Sequence, residues 1–167
     1  SGKARNWATA PISERAQIID SMRVIGVIVG PEHRVDPVNG IGEQLLAQTL
    51  RAHANRRLYI ATKVPPKNRS WPGTAETPVS EVFPYEYIVE MTEKSLQNLG
   101  VERLDLQQLH VWDDAWAADE GWQRAAEDLK AQGKIEGFGI SVNRWQPTNV
   151  LQALETGNVD AVQVVYN

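Results

Sequence analysis

Hydrophobic and polar positions follow two spacings along the chain, one typical of helices and one typical of strands. Apolar residues at helical spacing predict helices over residues 13–25, 42–54, 85–99, 119–132 and 147–155. Short runs rich in leucine and β-branched residues predict strands at 27–29, 57–63, 103–110, 135–141 and 159–166. Strands recur after the helices at intervals of about 30 residues, which is typical of βα units around a parallel sheet.

Polar residues recur where the predicted strands end. Lys63, His110, Ser141 and Gln163 lie at or near the C-terminal ends of successive strands. An open dinucleotide-binding sheet would carry a G-x-G-x-x-G turn after an early strand, and the sequence has no such turn. In a (β/α)8 barrel the C-terminal strand ends form one rim, which carries the chemistry. The pattern therefore predicts an α/β fold of the TIM-barrel type, with residues 1–167 in a single domain.

Composition and charge exclude several classes of function. Hydrophobic residues make up 42% and charged residues 23% of the chain, as is usual for a globular protein, and the net charge is -4. With no basic cluster, no nucleic-acid partner is expected. The absence of cysteine excludes disulfides and thiolate metal sites, and no metal site is predicted. No apolar run approaches the roughly 18 residues of a membrane span, so no membrane contact is expected. The lack of cysteine suits a cytoplasmic location, which is the location expected.

The pair Lys63 and His110 carries the most chemical information. On adjacent parallel strands, two strand-end residues can lie within several ångströms of each other. A nearby ammonium favours the neutral imidazole, and burial lowers the pKa of the lysine itself. A neutral histidine can then donate a hydrogen bond to a carbonyl oxygen. The alternatives are a lysine that reaches solvent and a histidine with a structural role.

Four segments of the chain resemble the aldo-keto reductase superfamily. They read LYIATKV, SLQNLGVERLDLQQLHVWD, GKIEGFGISVNRW and VDAVQVVYN, within a match from about Gly42 to Asn167. The resemblance implies a (β/α)8 barrel that binds NAD(P)H and reduces aldehydes and ketones to alcohols. The family uses a tetrad of aspartate, tyrosine, lysine and histidine, in which Lys63 and His110 match the lysine and the histidine.

The resemblance also implies a nicotinamide site and a small-molecule carbonyl substrate. Ser141 and, displaced by one residue, Asn143 match a serine-asparagine pair that holds the nicotinamide carboxamide in the family. Gln163 matches a glutamine that contacts the same group. NADP(H) is favoured over NAD(H) as the cofactor.

The residues that directly follow the strand predicted at 103–110 allow two further expectations. Trp112, two residues beyond His110, is a candidate wall of the substrate pocket, and its alternative role is packing under the long polar segment 65–84. Asp113 and Asp114 are expected to form a solvated approach to a helix rather than an acid/base pair.

The sequence departs from the family pattern where the aspartate and tyrosine of the tetrad should lie. Their D-T-A-x-x-Y-G motif is absent from residues 26–46. The aspartate position falls on Gly30 or Pro31, and the tyrosine position falls on Val35 or Asp36. No proton donor is therefore assigned, and His33 in the same segment is expected to face water.

The length of the chain is the second departure, since it ends just after the sixth strand of the family pattern. About the first six βα units of the barrel are therefore expected, either as a fragment or with an oligomer or second chain completing the barrel. The leading interpretation is an NAD(P)H-dependent aldo-keto reductase. The alternatives are a redox-inactive barrel that binds a cofactor or partner, and a lyase or dehydratase that uses the Lys-His pair.

Overall fold

The fold is an alternation of strands and helices, seen in a computed structural model that describes residues 24–26, 40–143 and 145–164. The strands are β1 (Val24–Gly26), β2 (Tyr59–Val64), β3 (Leu104–Leu109), β4 (Ile135–Ser141) and β5 (Ala161–Gln163). The α-helices are α1 (Ile41–Ala52), α2 (Val79–Val82), α3 (Tyr85–Leu99), α4 (Glu120–Ala131) and α5 (Leu151–Glu155), and a 3-10 helix spans Asp114–Trp116. None of these described helices combines the length and apolar character that a membrane crossing requires.

The five described strands form one parallel sheet in the order β1-β2-β3-β4-β5. Each strand pairs with the next strand in the chain, so that every C-terminal strand end lies at the same edge. Sequential parallel pairing through helical crossovers is the arrangement that builds the wall of a (β/α) barrel. The predicted alternation of βα units is therefore confirmed.

The two faces of the sheet differ in how deeply their side chains are buried, as strand β2 shows. Ile60, Thr62 and Val64 are buried, whereas the alternate residues, Lys63 among them, are half-buried. The Thr62 hydroxyl donates a 2.7 Å hydrogen bond to the Glu43 carboxylate on α1, so this face packs against the helices. Because side chains alternate along a strand, Lys63 lies on the opposite face.

The helix ends follow local sequence signals. The predicted helix 85–99 has the observed bounds of α3, and Gly100 ends it with φ 68°, a left-handed conformation that glycine adopts without a steric penalty. The Asp119 side chain caps α4 by accepting hydrogen bonds from the backbone amides of Gly121 at 2.8 Å and Trp122 at 3.3 Å. Local sequence signals therefore set these two helix ends.

One predicted element in the first half of the chain differs from the structure, and another lies outside the described residues. The helix predicted over 13–25 is wrong for its last residues, because Val24 and Ile25 belong to strand β1 and pair with β2. These β-branched residues favour an extended backbone once a neighbouring strand is available. The strand predicted at 27–29 lies outside the described residues, and segment 65–84 contains the short helix α2.

The C-terminal elements are shorter than predicted. The helix expected over 147–155 is reduced to α5, because residues 147–150 form a turn in which the Val150 amide donates to the Thr148 carbonyl at 2.8 Å. Strand β5 covers only part of the predicted range 159–166, and residues 165–167 lie outside the described part.

Candidate active site

Four of the predicted site residues lie along one edge of the sheet. Lys63 is the penultimate residue of β2, His110 directly follows β3, and Ser141 and Gln163 end β4 and β5. Pairing places Lys63 opposite Gln108 and Ser141 opposite Gln163. The register and the two-residue period of strands put all four side chains on the face opposite the helices. We call this group of four residues the rim cluster.

Lys63 carries a positive charge at this rim that no described residue pairs with. Its side chain is half-buried, and it makes no ion pair or hydrogen bond with any residue in the described part of the chain. Desolvation by burial lowers the pKa of its ammonium below the ordinary value. An ammonium with a lowered pKa gives up a proton more readily than a solvated lysine.

His110 is held next to Lys63 by the backbone and is kept neutral by its surroundings. Its amide donates a 3.1 Å hydrogen bond to the Val64 carbonyl, the residue after Lys63. Burial, and then the charge of Lys63, lower the pKa of the imidazole to about 4. At neutral pH the ring therefore has one N–H donor and one free acceptor nitrogen, as the sequence predicts for hydrogen bonding to a carbonyl oxygen.

Trp71 also lies at this site, and it was not among the predicted residues. Its ring meets the His110 ring edge-on, with centroids 5.2 Å apart and an interplanar angle of 82°. Half of its surface, 51%, is exposed. The sequence signals available were an unusually long segment over 65–84 and a high tryptophan content, which do not identify a single residue.

The segment that carries Trp71 is attached to the body of the protein by another tryptophan. The Trp116 indole N–H donates a 2.9 Å hydrogen bond to the Thr77 carbonyl. A Cβ atom added to Gly73 would come within 2.6 Å of the Trp116 ring, so the backbone passes directly over it. These contacts give the segment a defined position above the sheet edge.

Trp112 is packed in the core. Its side chain is 1% exposed and meets the rings of Trp116 and Trp122 edge-on, with centroid separations of 5.7 and 5.2 Å. Packing under segment 65–84, the alternative given for this residue, agrees with these contacts. The prediction that Trp112 lines the substrate pocket gains no support from them.

Asp114 corrects the expectation of a solvated helix approach. The side chain is buried, at 8% exposure, and its two oxygens accept hydrogen bonds from the amides of Gln152 at 2.8 Å and Ala153 at 3.1 Å. It also accepts a 3.3 Å hydrogen bond from the Trp112 indole. The carboxylate therefore caps α5 and links it to the tryptophans, because three donors compensate its burial.

Ser141 and Gln163 lie side by side at the ends of β4 and β5. The Val142 amide donates to the Gln163 carbonyl at 3.1 Å, which fixes the two strand ends side by side. Within the described residues, neither the Ser141 hydroxyl nor the Gln163 amide makes a side-chain hydrogen bond. A carboxamide presents one acceptor oxygen and two N–H donors, which a hydroxyl and a second amide can match.

Unlike Ser141, Asn143 has a side chain that makes hydrogen bonds within the described part of the chain. Its side-chain oxygen accepts hydrogen bonds from the amides of Trp145 at 3.0 Å and Gln146 at 2.8 Å, which shapes the loop after β4. Only its N–H donors remain for a ligand.

The positions matched to the tetrad aspartate and tyrosine, together with His33, lie outside the described residues. In the described ranges, no group of three or more His, Cys, Asp or Glu residues is placed to hold a metal ion.

Comparison with known proteins identifies the class. The model of the Aldo/keto reductase family matches residues 38–167. The chain belongs to the aldo/keto reductase family, and its fold is α/β, comprising part of the TIM barrel of that family.

Individual relatives agree with this assignment. The chain is 32% identical to pyridoxal 4-dehydrogenase of Microbacterium luteolum, over 74% of the chain and 45% of that protein. The holo form of aldo-keto reductase AKR11C1 from Bacillus halodurans is 26% identical, with a TM-score of 0.58 over 76% of this chain and 40% of that one. Its apo form gives 27% identity and a TM-score of 0.53 over 74% and 36%. The chain spans less than half the length of these relatives.

Proposed function

We propose that this chain belongs to an NAD(P)H-dependent reductase that converts an aldehyde or ketone to an alcohol, and that it provides the site for the carbonyl group and the nicotinamide. The observation that carries the proposal is the neutral His110 beside Lys63, which has no partner among the described residues, at the C-terminal edge of the sheet. Family membership supports the reaction class.

The neutral imidazole of His110 donates its N–H to the carbonyl oxygen and orients the carbonyl carbon. Ser141 and Gln163 would hold the carboxamide of the nicotinamide, which would supply the hydride when bound. As negative charge develops on the substrate oxygen, the Lys63 ammonium stabilises it.

We assign Lys63 as the proton donor. The carbonyl π electrons move to oxygen when the hydride bonds to carbon, and one Nζ–H proton of Lys63 then completes the alcohol. Segment 26–46 contains no tyrosine that could serve as the acid. Burial lowers the pKa of Lys63, which makes its ammonium a stronger acid, and solvent at the half-open rim restores the proton.

The test uses the intact protein and measures cofactor binding and turnover separately. NADPH and NADH are titrated against tryptophan fluorescence, and turnover is followed as carbonyl-dependent loss of the reduced nicotinamide absorbance. Lys63→Met and His110→Gln should each lower kcat by about 100-fold or more with little change in cofactor Kd. Lys67→Met, an exposed lysine of segment 65–84, is the matched control and should retain activity.

Two results would contradict the proposal. Saturable cofactor binding without turnover of any carbonyl compound would identify a redox-inactive barrel. Carbonyl turnover that needs Lys63 and His110 but consumes no cofactor would identify a lyase or dehydratase.

Because one relative is a pyridoxal 4-dehydrogenase, pyridoxal is the first carbonyl compound to test. A preference for NADPH, a cytoplasmic location and an oligomer or second chain that completes the barrel remain predictions from the sequence.

A further inference from the structure

Lys63 is half-buried, and no carboxylate among the described residues pairs with it. Two other half-buried lysines show the contrast: Lys130 holds the Asp160 carboxylate at 2.5 Å, and Lys134 holds that of Glu93 at 2.5 Å. None of the described ion pairs and side-chain hydrogen bonds involves Lys63. A carboxylate partner keeps a lysine in the ammonium form, whereas burial without a partner favours the neutral amine. Lys63 therefore reaches its nucleophilic form more readily than the two paired lysines do.

His110 places a group that can transfer protons on the same face of the sheet as Lys63. Lys63 pairs with Gln108, two residues before His110, and the His110 amide continues the pairing by donating to the Val64 carbonyl at 3.1 Å. The Lys63 charge is close enough to contribute to the lowered pKa of the imidazole. A neutral imidazole has one N–H donor and one acceptor nitrogen, so it can take a proton from one group and give a proton to another.

We propose that Lys63 has a second activity when no cofactor is bound, in which its neutral amine condenses with an aldehyde at His110 to form an imine. The inference rests on the proposed function only for the position of the carbonyl oxygen at the His110 N–H. The Nζ lone pair bonds to the carbonyl carbon, the π electrons move to oxygen, and His110 carries one Nζ proton to that oxygen. The resulting carbinolamine loses its hydroxyl as water with the second Nζ proton, again through His110, and the nitrogen lone pair forms the C=N bond.

The surroundings of Lys63 favour such a covalent link. An imine reverts to amine and aldehyde when water reaches it, and both the half-burial of Lys63 and the Trp71 ring, 5.2 Å from that of His110, limit this access. Aldehydes are preferred to ketones because their carbonyl carbon carries one substituent and is more open to an amine that is fixed on a strand. Lys67 is exposed, with its ammonium 6.0 Å from the centre of the Tyr87 ring, and it serves as the reference lysine.

The experiment traps the imine in the absence of any nicotinamide cofactor. The intact protein is incubated at neutral pH with benzaldehyde and sodium cyanoborohydride, which reduces the C=N bond to a stable secondary amine. Peptide mass spectrometry then locates the labelled lysines and follows their rates. Lys63 should be labelled roughly tenfold or more faster than Lys67 in the same sample. Lys63→Met should remove this fast labelling, whereas Lys67→Met should leave it unchanged.

The variant His110→Gln tests the transfer of protons, because a glutamine side chain can donate to a carbonyl oxygen but does not exchange protons at neutral pH. Labelling of Lys63 should slow by roughly tenfold or more, and labelling of Lys67 in the same sample should not change. An unchanged rate at Lys63 would overturn the role given to His110. Circular dichroism checks that each variant is folded.

The rates in the wild type separate this inference from the proposed function. If Lys63 is labelled no faster than Lys67, the imine site is overturned, while the reductase function, assayed separately with NADPH, is unaffected. Fast labelling of Lys63 in a protein that reduces no carbonyl compound with NADPH would support the imine site and refute the reductase.

Discussion

At the scale of single residues, His110 makes the stability of the fold depend on pH. Its pKa in the folded chain is about 4, against 6.5 for an unperturbed histidine. The neutral form is therefore favoured by folding, and its contribution is fully present above pH 6.5 and is lost as the pH falls through 4. The difference corresponds to about 3 kcal/mol. We expect His110→Gln to flatten the pH dependence of the unfolding free energy by about this amount, as measured by urea unfolding between pH 4 and 7.

The Lys63→Met variant tests the cause of this dependence. The Lys63 charge is the smaller contribution to the lowered pKa, and burial is the larger. Without that charge the pKa of His110 should rise but stay below 6.5, so that the total loss of stability on acidification is smaller than in the wild type and is complete at a higher pH. Parallel profiles for the wild type and His110→Gln across this range would show that burial does not hold His110 neutral.

At the scale of elements, Asp114 connects the 3-10 helix to α5. Asp114→Ala removes the hydrogen-bond acceptor of two α5 amides and of the Trp112 indole. Each of these donors then loses its hydrogen bond to the Asp114 carboxylate. We expect the unfolding free energy to fall by about 2–3 kcal/mol, as measured by urea denaturation.

The neighbouring Asp113→Ala is the matched control for this prediction. Asp113 is half-buried and accepts one hydrogen bond from the Ala115 amide at 3.0 Å, so its loss should cost about 1 kcal/mol or less. Equal effects of the two variants would contradict the assigned capping role of Asp114.

The elements also show how far sequence reasoning reaches. Strand β4 and helix α3 have the predicted bounds because local signals, such as Gly100 after α3, define them. Lys63 and His110 could be predicted because parallel strands bring their ends together. Asp114 was misjudged and Trp71 was missed because their partners lie tens of residues away in the sequence. Such contacts depend on tertiary packing, which hydrophobic periodicity does not encode.

At the scale of the whole molecule, the rim cluster is assembled by strands that are neighbours both in the chain and in the sheet. Lys63, His110, Ser141 and Gln163 come together through the pairing of β2, β3, β4 and β5, each with the next. Sequential pairing thus brings these four residues to one edge in a chain that spans 45% of one relative and 40% of another. The spacing between β4 and β5 then decides whether Ser141 and Gln163 can bind one ligand together.

Gly139 sets that spacing. A Cβ atom at this position would come within 2.9 Å of the Ala161 carbonyl oxygen on β5 and 3.1 Å of the Gln108 side chain on β3. Because the nearest atom is backbone, Gly139→Ala should push β5 away and separate Gln163 from Ser141. We expect a loss of about 1–3 kcal/mol in unfolding free energy and weaker NADPH binding, measured by urea denaturation and by fluorescence titration.

The control for Gly139→Ala is Ile140→Val, at the next residue of β4. Ile140 is fully buried on the face that packs against the helices, so removing one methyl group should cost about 1 kcal/mol without moving the strand ends. If destabilisation alone weakened NADPH binding, both variants would do so in proportion to their lost stability. If the spacing of β4 and β5 matters, only Gly139→Ala will weaken NADPH binding. Equal NADPH affinity in the two variants would show that Gln163 does not act together with Ser141.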